Sequence, residues 1–138
     1  MRLHKKNKKG RVINMDKQII LASGSPRRKE LMTLAGYTFE VKVSEKEEHY
    51  KSNVPEEIVK ELALQKAEDV AERTEKKKLA VIGADTVVAV DQEILGKPKT
   101  EEEAFAMIRK ISGRTHQVYT GVAVLDFDDT GKCTVTSH

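Results

Sequence analysis

The amino-acid sequence predicts an α/β fold in which a mixed, twisted sheet is flanked by helices. Short apolar runs at 19–21 and 79–83 are typical of buried strands, and they alternate with segments of helical periodicity. In the second half of the chain, tight turns join strand-like runs directly, which indicates antiparallel pairs beside the parallel ones. A chain of 138 residues suffices for one domain with a hydrophobic core and is short for two.

A helix is predicted directly after the first strand. Ser25 is a suitable N-cap, Pro26 suits the first helical position, and Gly36 is typical of the residue that ends a helix. Residues 37–43 then alternate between apolar and polar side chains, which predicts a half-buried strand.

The second predicted helix, from residue 55 to about residue 73, contains an unusual lysine. It follows an acidic loop at 45–48, and Lys66 falls within its apolar face. A lysine at such a position either extends its amine to solvent or meets an anion. Both alternatives stay open at this point. The face is formed by Ile58, Leu62, Ala63 and Val70.

A long strand is predicted over 79–90, and a tight turn returns the chain as a hairpin arm at 94–95. Thr100 and Glu103 have the spacing of a capping box, which predicts a third helix. We expect its apolar stripe to be buried: Ala104, Met107, Ile108 and Ile111. Two strands joined by a turn complete the chain, at 116–126 and 133–136.

Charge and composition restrict the function classes. The net charge of +3 reflects a basic start without acidic residues, and we expect residues 1–14 to be a disordered extension of a domain at 15–138. The extension contains no aromatic residue, which disfavours nucleic acid as a partner, although such a role stays an alternative. No apolar run suits a membrane span, and the single Cys133 fits a reducing compartment. A cytoplasmic protein is expected.

The turn before the first helix is suited to binding phosphate. Backbone N–H groups at a helix start lie at the positive end of the helix dipole. Arg27 and Arg28 add two guanidinium groups there, and guanidinium binds phosphate through paired hydrogen bonds. An ordinary strand-to-helix turn with two solvated arginines is the alternative.

Further charged residues suggest phosphoanhydride hydrolysis. Asp85 follows a buried strand, where ligand sites of α/β sheets collect, although an aspartate there can simply cap a turn. Glu47 and Glu48 could hold a divalent metal or form a solvated loop, and Lys97 could bind a phosphate or lie on the surface. Two hydroxyls could add hydrogen bonds: Thr86 and Thr120. Positioning and charge neutralisation supply most of the catalysis in such reactions.

The sequence lacks the residue patterns that other classes of catalytic site require. The sequence contains no GxxxxGK[ST] segment, so it is not a P-loop nucleotide hydrolase. The four histidines show no metal-ligand spacing, and Cys133 has no activating neighbour.

Four segments resemble the Maf proteins, the septum-formation family of nucleoside triphosphate pyrophosphatases. They are LASGSPRRKEL, GADTVV, LGKP and ISGRTHQVYTGV, in order, and the resemblance runs from about residue 17 to the end. It implies a Maf/ITPase-like fold and cleavage of a nucleoside triphosphate to the monophosphate and pyrophosphate. It also implies a divalent metal cofactor, Mg²⁺ or Mn²⁺.

The resemblance also implies roles for individual residues. Asp85 would accept a proton from water, and together with Glu48 it would hold the metal. Thr86 follows Asp85 as in the dTTP/UTP branch, whereas the 7-methyl-GTP branch usually has glutamine there. We therefore expect dTTP, UTP and modified pyrimidine nucleotides as substrates, with a link to division arrest. The remaining substrate-binding positions would be Ser23, Arg27, Arg28, Lys66, Thr86 and Lys97.

The C-terminal part of the chain departs from the family pattern. Family members continue through an Asp-Lys-Ala-Gly-Ala-Tyr segment and a glutamine that reads the base, and this sequence contains neither. A catalytically impaired nucleotide-binding or regulatory fragment is therefore the alternative function, with apolar sheet surface left uncovered. The sequence leaves open whether the chain forms a homodimer.

Overall fold

A single mixed sheet organises the fold. The computed structural model describes residues 2–6, 12–91, 93–96 and 100–138, which form seven strands and three helices. The strands are β1 (Arg2–Lys6), β2 (Val12–Ala22), β3 (Glu40–Val41), β4 (Leu79–Val90), β5 (Glu93–Leu95), β6 (His116–Phe127) and β7 (Cys133–Ser137). The helices are α1 (Pro26–Leu34), α2 (Pro55–Glu72) and α3 (Glu101–Ile111).

The strand order confirms the predicted fold class. Neighbours follow the order β1-β2-β4-β6-β7, with β3 beside β2 and β5 beside β4. The pairs β2–β4 and β2–β3 are parallel, and the other pairs are antiparallel. The parallel connection from β2 to β4 contains α1 and α2, as an α/β crossover requires. None of the described helices is long and apolar enough to cross a membrane.

Two segments of the sheet differ from what the sequence predicts. The strand predicted at 37–43 is reduced to the two residues of β3, because only Glu40 and Val41 pair with β2. The expectation that residues 1–14 are disordered concerns in part residues 1 and 7–11, which lie outside the described part of the chain. Within the described part, β1 pairs antiparallel with the first part of β2. Strand pairing uses backbone groups, so the basic composition of this segment does not prevent it.

Helix α2 lies unusually close to the sheet. Its buried residues pack on β4 and β6, and two glycines make the approach possible. A Cβ on Gly83 would collide with the backbone of Ala63, and one on Gly121 would lie 2.5 Å from the Val59 carbonyl oxygen. Because Gly121 pairs with Asp85, the close approach occurs beside the predicted catalytic carboxylate.

Helix α3 begins where the sequence predicts, but its apolar stripe differs from the prediction. Thr100 is its N-cap and accepts a hydrogen bond from the Glu103 amide, as the capping box requires. Its apolar stripe is not buried, however: Ile108 is 58% exposed, and Ala104, Met107 and Ile111 are only partly buried. Periodicity identifies residues that share a helix face, but it contains no information on what packs against that face.

Candidate active site

The loop between β2 and α1 forms one wall of the site. Ser25 is the N-cap of α1, and its side chain accepts a hydrogen bond from the Arg28 amide. The buried hydroxyl of Ser23 accepts a hydrogen bond from the Ser25 amide at 3.3 Å. Pro26 opens the helix, and Gly36 adopts the left-handed conformation after it with φ of 87°. The turn for which the sequence suggested anion binding is therefore a loop that leads into the capped N-terminus of α1.

Arg28 connects this loop to the central strands. Its guanidinium donates hydrogen bonds to the Ser23 hydroxyl at 3.0 Å, the Ala84 carbonyl at 3.3 Å and the Thr86 hydroxyl at 2.9 Å. Thr86 in turn shares a hydrogen bond of 2.9 Å with Thr120 on β6. The two predicted arginines thus differ in environment, because the side chain of Arg27 is mostly exposed.

Lys66 joins the two predicted carboxylates. Its amine lies 2.6 Å from Asp85 Oδ1 and 3.2 Å from Glu48 Oε1. The side chains of Asp85 and Lys66 are only 6% and 14% exposed, whereas that of Glu48 is 51% exposed. Of the two alternatives for a lysine on the apolar face of α2, the structure has the one in which the amine meets anions.

Two adjacent cavities are lined by several of these groups, though not by Asp85 itself. One, of about 530 Å³, is lined by the β2–α1 loop, Arg28, Glu48 and Lys66. The other, of about 450 Å³, has apolar walls together with Arg27, Arg28, Thr86 and Thr120. Arg28 contributes to both. Lys97, also expected at the site, lies outside the described residues.

Glu48 and Asp85 are the carboxylates of this site that could hold a metal ion. The described part of the chain contains no cluster of three or more potential metal ligands. Glu48 and Asp85 nevertheless converge on one point, which the Lys66 amine occupies. Mg²⁺ is commonly held by one or two carboxylates together with phosphate oxygens, so this donor set suits such an ion.

Asp69 is a buried charge that the sequence analysis did not identify. Hydrogen bonds from the Glu45 amide and the Ser44 hydroxyl hold the pKa of its carboxyl below the ordinary value, and the Arg73 guanidinium acts in the same direction. Burial opposes this shift but does not outweigh it. The sequence signal for Asp69 is its position four residues after Gln65 and four before Arg73, the C-cap of α2.

The Maf-like protein family matches residues 18–138 of this chain. A dTTP/UTP pyrophosphatase of Bacillus cereus is 55% identical over 115 residues, which cover 83% of this chain and 56% of the relative. The corresponding protein of Lachnoclostridium phytofermentans is 50% identical, with coverage of 83% and 58%. The chain therefore spans less than two thirds of the length of these curated relatives.

The fold comparison agrees with the sequence match. The solved structure of the Staphylococcus aureus Ham1 protein aligns with a TM-score of 0.53 and 17% identity, covering 88% of this chain and 68% of that one. The likeness concerns the fold. The match over residues 18–138 establishes that the chain belongs to the Maf-like family.

Proposed function

We propose that this protein is a nucleoside triphosphate pyrophosphatase that prefers dTTP, UTP and modified pyrimidine nucleotides. The observation that carries the proposal is the Lys66 amine between Asp85 and Glu48, on a cavity that extends to the β2–α1 loop. Cationic groups and backbone N–H groups for a polyphosphate thus adjoin a buried carboxylate. The names of the relatives support the same substrates.

In this proposal the triphosphate occupies the cavity beside the β2–α1 loop. The N-terminus of α1 binds phosphate oxygens, and Lys66 exchanges its contact with Asp85 for one with the substrate. Asp85 then accepts a proton from water as the water oxygen bonds to the α-phosphorus. The bond from this phosphorus to the bridging oxygen breaks, and pyrophosphate leaves. A divalent cation held by Glu48 and Asp85 would neutralise phosphate charge. Lys97 stays a predicted phosphate contact.

The second cavity is proposed to receive the base. Apolar side chains form much of its surface, and hydroxyls of Thr86 and Thr120 lie at one side. Pockets for small ligands commonly combine apolar walls with a few fixed polar groups. Arg28 fixes the Thr86 hydroxyl, which would therefore meet the base in a defined orientation. Arg27 would contact the substrate from the exposed rim.

The proposal is tested by pyrophosphate release from dTTP, UTP, GTP and ATP with Mg²⁺ or Mn²⁺. We expect turnover of dTTP and UTP, and we expect Asp85→Asn to lower it by about 10²-fold or more while nucleotide binding persists. Glu68→Gln, which changes an exposed carboxylate on α2, is the matched control. Wild-type turnover by Asp85→Asn would contradict the assignment of the base. Nucleotide binding without pyrophosphate release would favour a non-catalytic binding protein instead.

A further inference from the structure

Polar residues follow one another along α2 at intervals of four: Glu61, Gln65 and Asp69 within the helix, and Arg73 as its C-cap. Residues spaced in this way lie in one row along a helix. The segment 43–51, which contains the acidic loop, runs along this row in the opposite direction, so that increasing numbers in the loop meet decreasing numbers on the helix.

The C-terminal half of the row holds the start of the loop. The Arg73 guanidinium donates to the Val43 carbonyl at 2.8 Å. The Asp69 carboxylate accepts from the Ser44 hydroxyl at 2.8 Å and from the Glu45 amide at 2.9 Å. Asp69 is 5% exposed, and its hydrogen bonds are charge-assisted and shielded from water.

The N-terminal half of the row holds the end of the loop. The Gln65 side chain accepts from the His49 amide at 3.1 Å and donates to the His49 carbonyl. Glu61 accepts from the Lys51 amide at 3.0 Å. Glu48 lies between the two halves, so the backbone is fixed within three residues on either side of it.

These contacts replace main-chain pairing. Within the described residues, no backbone-to-backbone hydrogen bond fixes residues 43–53 apart from those at the strand and helix that adjoin them. The side chain of Glu48 is half exposed, and its one described charged partner is Lys66. The loop conformation therefore depends on the side chains of α2.

We propose that this row of α2 is a positioning device for Glu48 and that Asp69 is its principal positioning residue. The inference rests on the proposed function in one respect, namely that Glu48 serves the metal-dependent reaction. Asp69 is not assigned a contact with substrate or metal in the proposed function. It acts by fixing the backbone from which Glu48 reaches the Lys66 amine.

Amide hydrogen exchange tests the device independently of catalysis. We expect Asp69→Ala to accelerate exchange across residues 44–49 by about tenfold or more, because a buried charged acceptor is lost. Asp69→Asn, which keeps one acceptor oxygen, should restore part of the protection. The neighbouring Glu68→Ala is the control and should change nothing there, since Glu68 is exposed and the described residues give it no partner. Should Asp69→Ala fail to fold, Ser44→Ala removes one of the two hydrogen bonds.

Binding of Mn²⁺ with pyrophosphate, followed by electron paramagnetic resonance, tests the link to Glu48. We expect Asp69→Ala to weaken Mn²⁺ binding several-fold, and to add nothing in a Glu48→Gln background. Unchanged exchange in Asp69→Ala, or additive effects of the two substitutions, would overturn the proposal. If Glu48→Gln alone left Mn²⁺ binding unchanged, the metal role in the proposed function would fail, while the exchange data would still decide whether the row holds the loop.

Discussion

Replacing Gly121 with alanine is expected to damage both stability and the site. The new Cβ would lie 2.5 Å from the carbonyl carbon and oxygen of Val59 and 2.8 Å from the Lys60 amide nitrogen. Ordinary contact begins at 3.4 Å, so β6 and α2 must separate by about 0.9 Å, the difference between the contact distance and the shortest one. All three atoms belong to the helix backbone, so no side-chain rotation relieves the collision.

The expected loss of stability follows from the rigidity of the helix backbone. Overpacking a core costs about 1–3 kcal/mol, and a collision with backbone falls near the upper end of this range. Asp85 pairs with Gly121, while Lys66 belongs to α2, so the same separation alters the 2.6 Å contact between their side chains. Misplacement of catalytic groups by about 1 Å can cost on the order of 10²-fold in rate.

Urea denaturation followed by circular dichroism measures the first effect, and pyrophosphate release measures the second. We expect Gly121→Ala to lose about 3 kcal/mol of unfolding free energy together with most of the turnover. Gly96→Ala is the control, because no atom of the described part of the chain is found within 4 Å of its added Cβ. It should change stability by no more than about 0.5 kcal/mol. A Gly121→Ala variant as stable and active as the wild type would refute the close packing of α2.

Three further predictions concern charged groups. Lys66→Met should lose about 3 kcal/mol in thermal unfolding, because it leaves the buried Asp85 without its cation, and Lys66→Met with Asp85→Asn should recover part of the loss. Arg28→Lys keeps the charge but not the planar fork that reaches Thr86, and it should lose about 1 kcal/mol in urea. The pKa of the Asp69 carboxyl is lowered from its ordinary value of 3.8, so the ionised carboxylate stabilises the fold above pH 3.8. The free energy of unfolding should therefore fall as the pH drops below 3.8, and it should fall less in Asp69→Asn.

Each of these three predictions would be contradicted by a specific result. An unchanged melting temperature in Lys66→Met would show that the ion pair contributes nothing to the fold. Identical urea midpoints for Arg28→Lys and the wild type would mean that a point charge satisfies the three acceptors of the guanidinium. Equal acid sensitivity of Asp69→Asn and the wild type would exclude Asp69 as the titrating group.

The sequence predicted the helices and strands whose ends are set by nearby residues in the chain. Helix α1 begins at the N-cap Ser25 and ends before the left-handed Gly36, and both follow from the residue types. The bounds of α2 and β4 follow in the same way from apolar periodicity and from flanking polar residues.

The misjudged elements depend on distant partners. Burial of the apolar stripe of α3 would require a neighbour, and periodicity does not supply one. The strand predicted at 37–43 is short because only Glu40 and Val41 pair with β2, while the Val43 carbonyl accepts a hydrogen bond from the Arg73 side chain. The pairing of β1 with β2 depends on how the residues of the two strands align, and the amino-acid composition of the segment does not determine that alignment.

The sequence suggested residues for the candidate site but not the contacts between them. Periodicity placed Lys66 on an apolar face, which left open whether its amine reaches solvent or an anion and did not identify its partners Asp85 and Glu48. The row that includes Asp69 was missed because polar residues at intervals of four also characterise an ordinary solvated helix face.

Hydrolysis in ¹⁸O-labelled water tests the central claim most directly, with dTTP as substrate and Mg²⁺ present. Attack of water at the α-phosphorus predicts that ¹⁸O appears in the nucleoside monophosphate and that pyrophosphate leaves unlabelled, with both signals lost in Asp85→Asn. Label in the pyrophosphate, label in orthophosphate, or no hydrolysis would contradict the account.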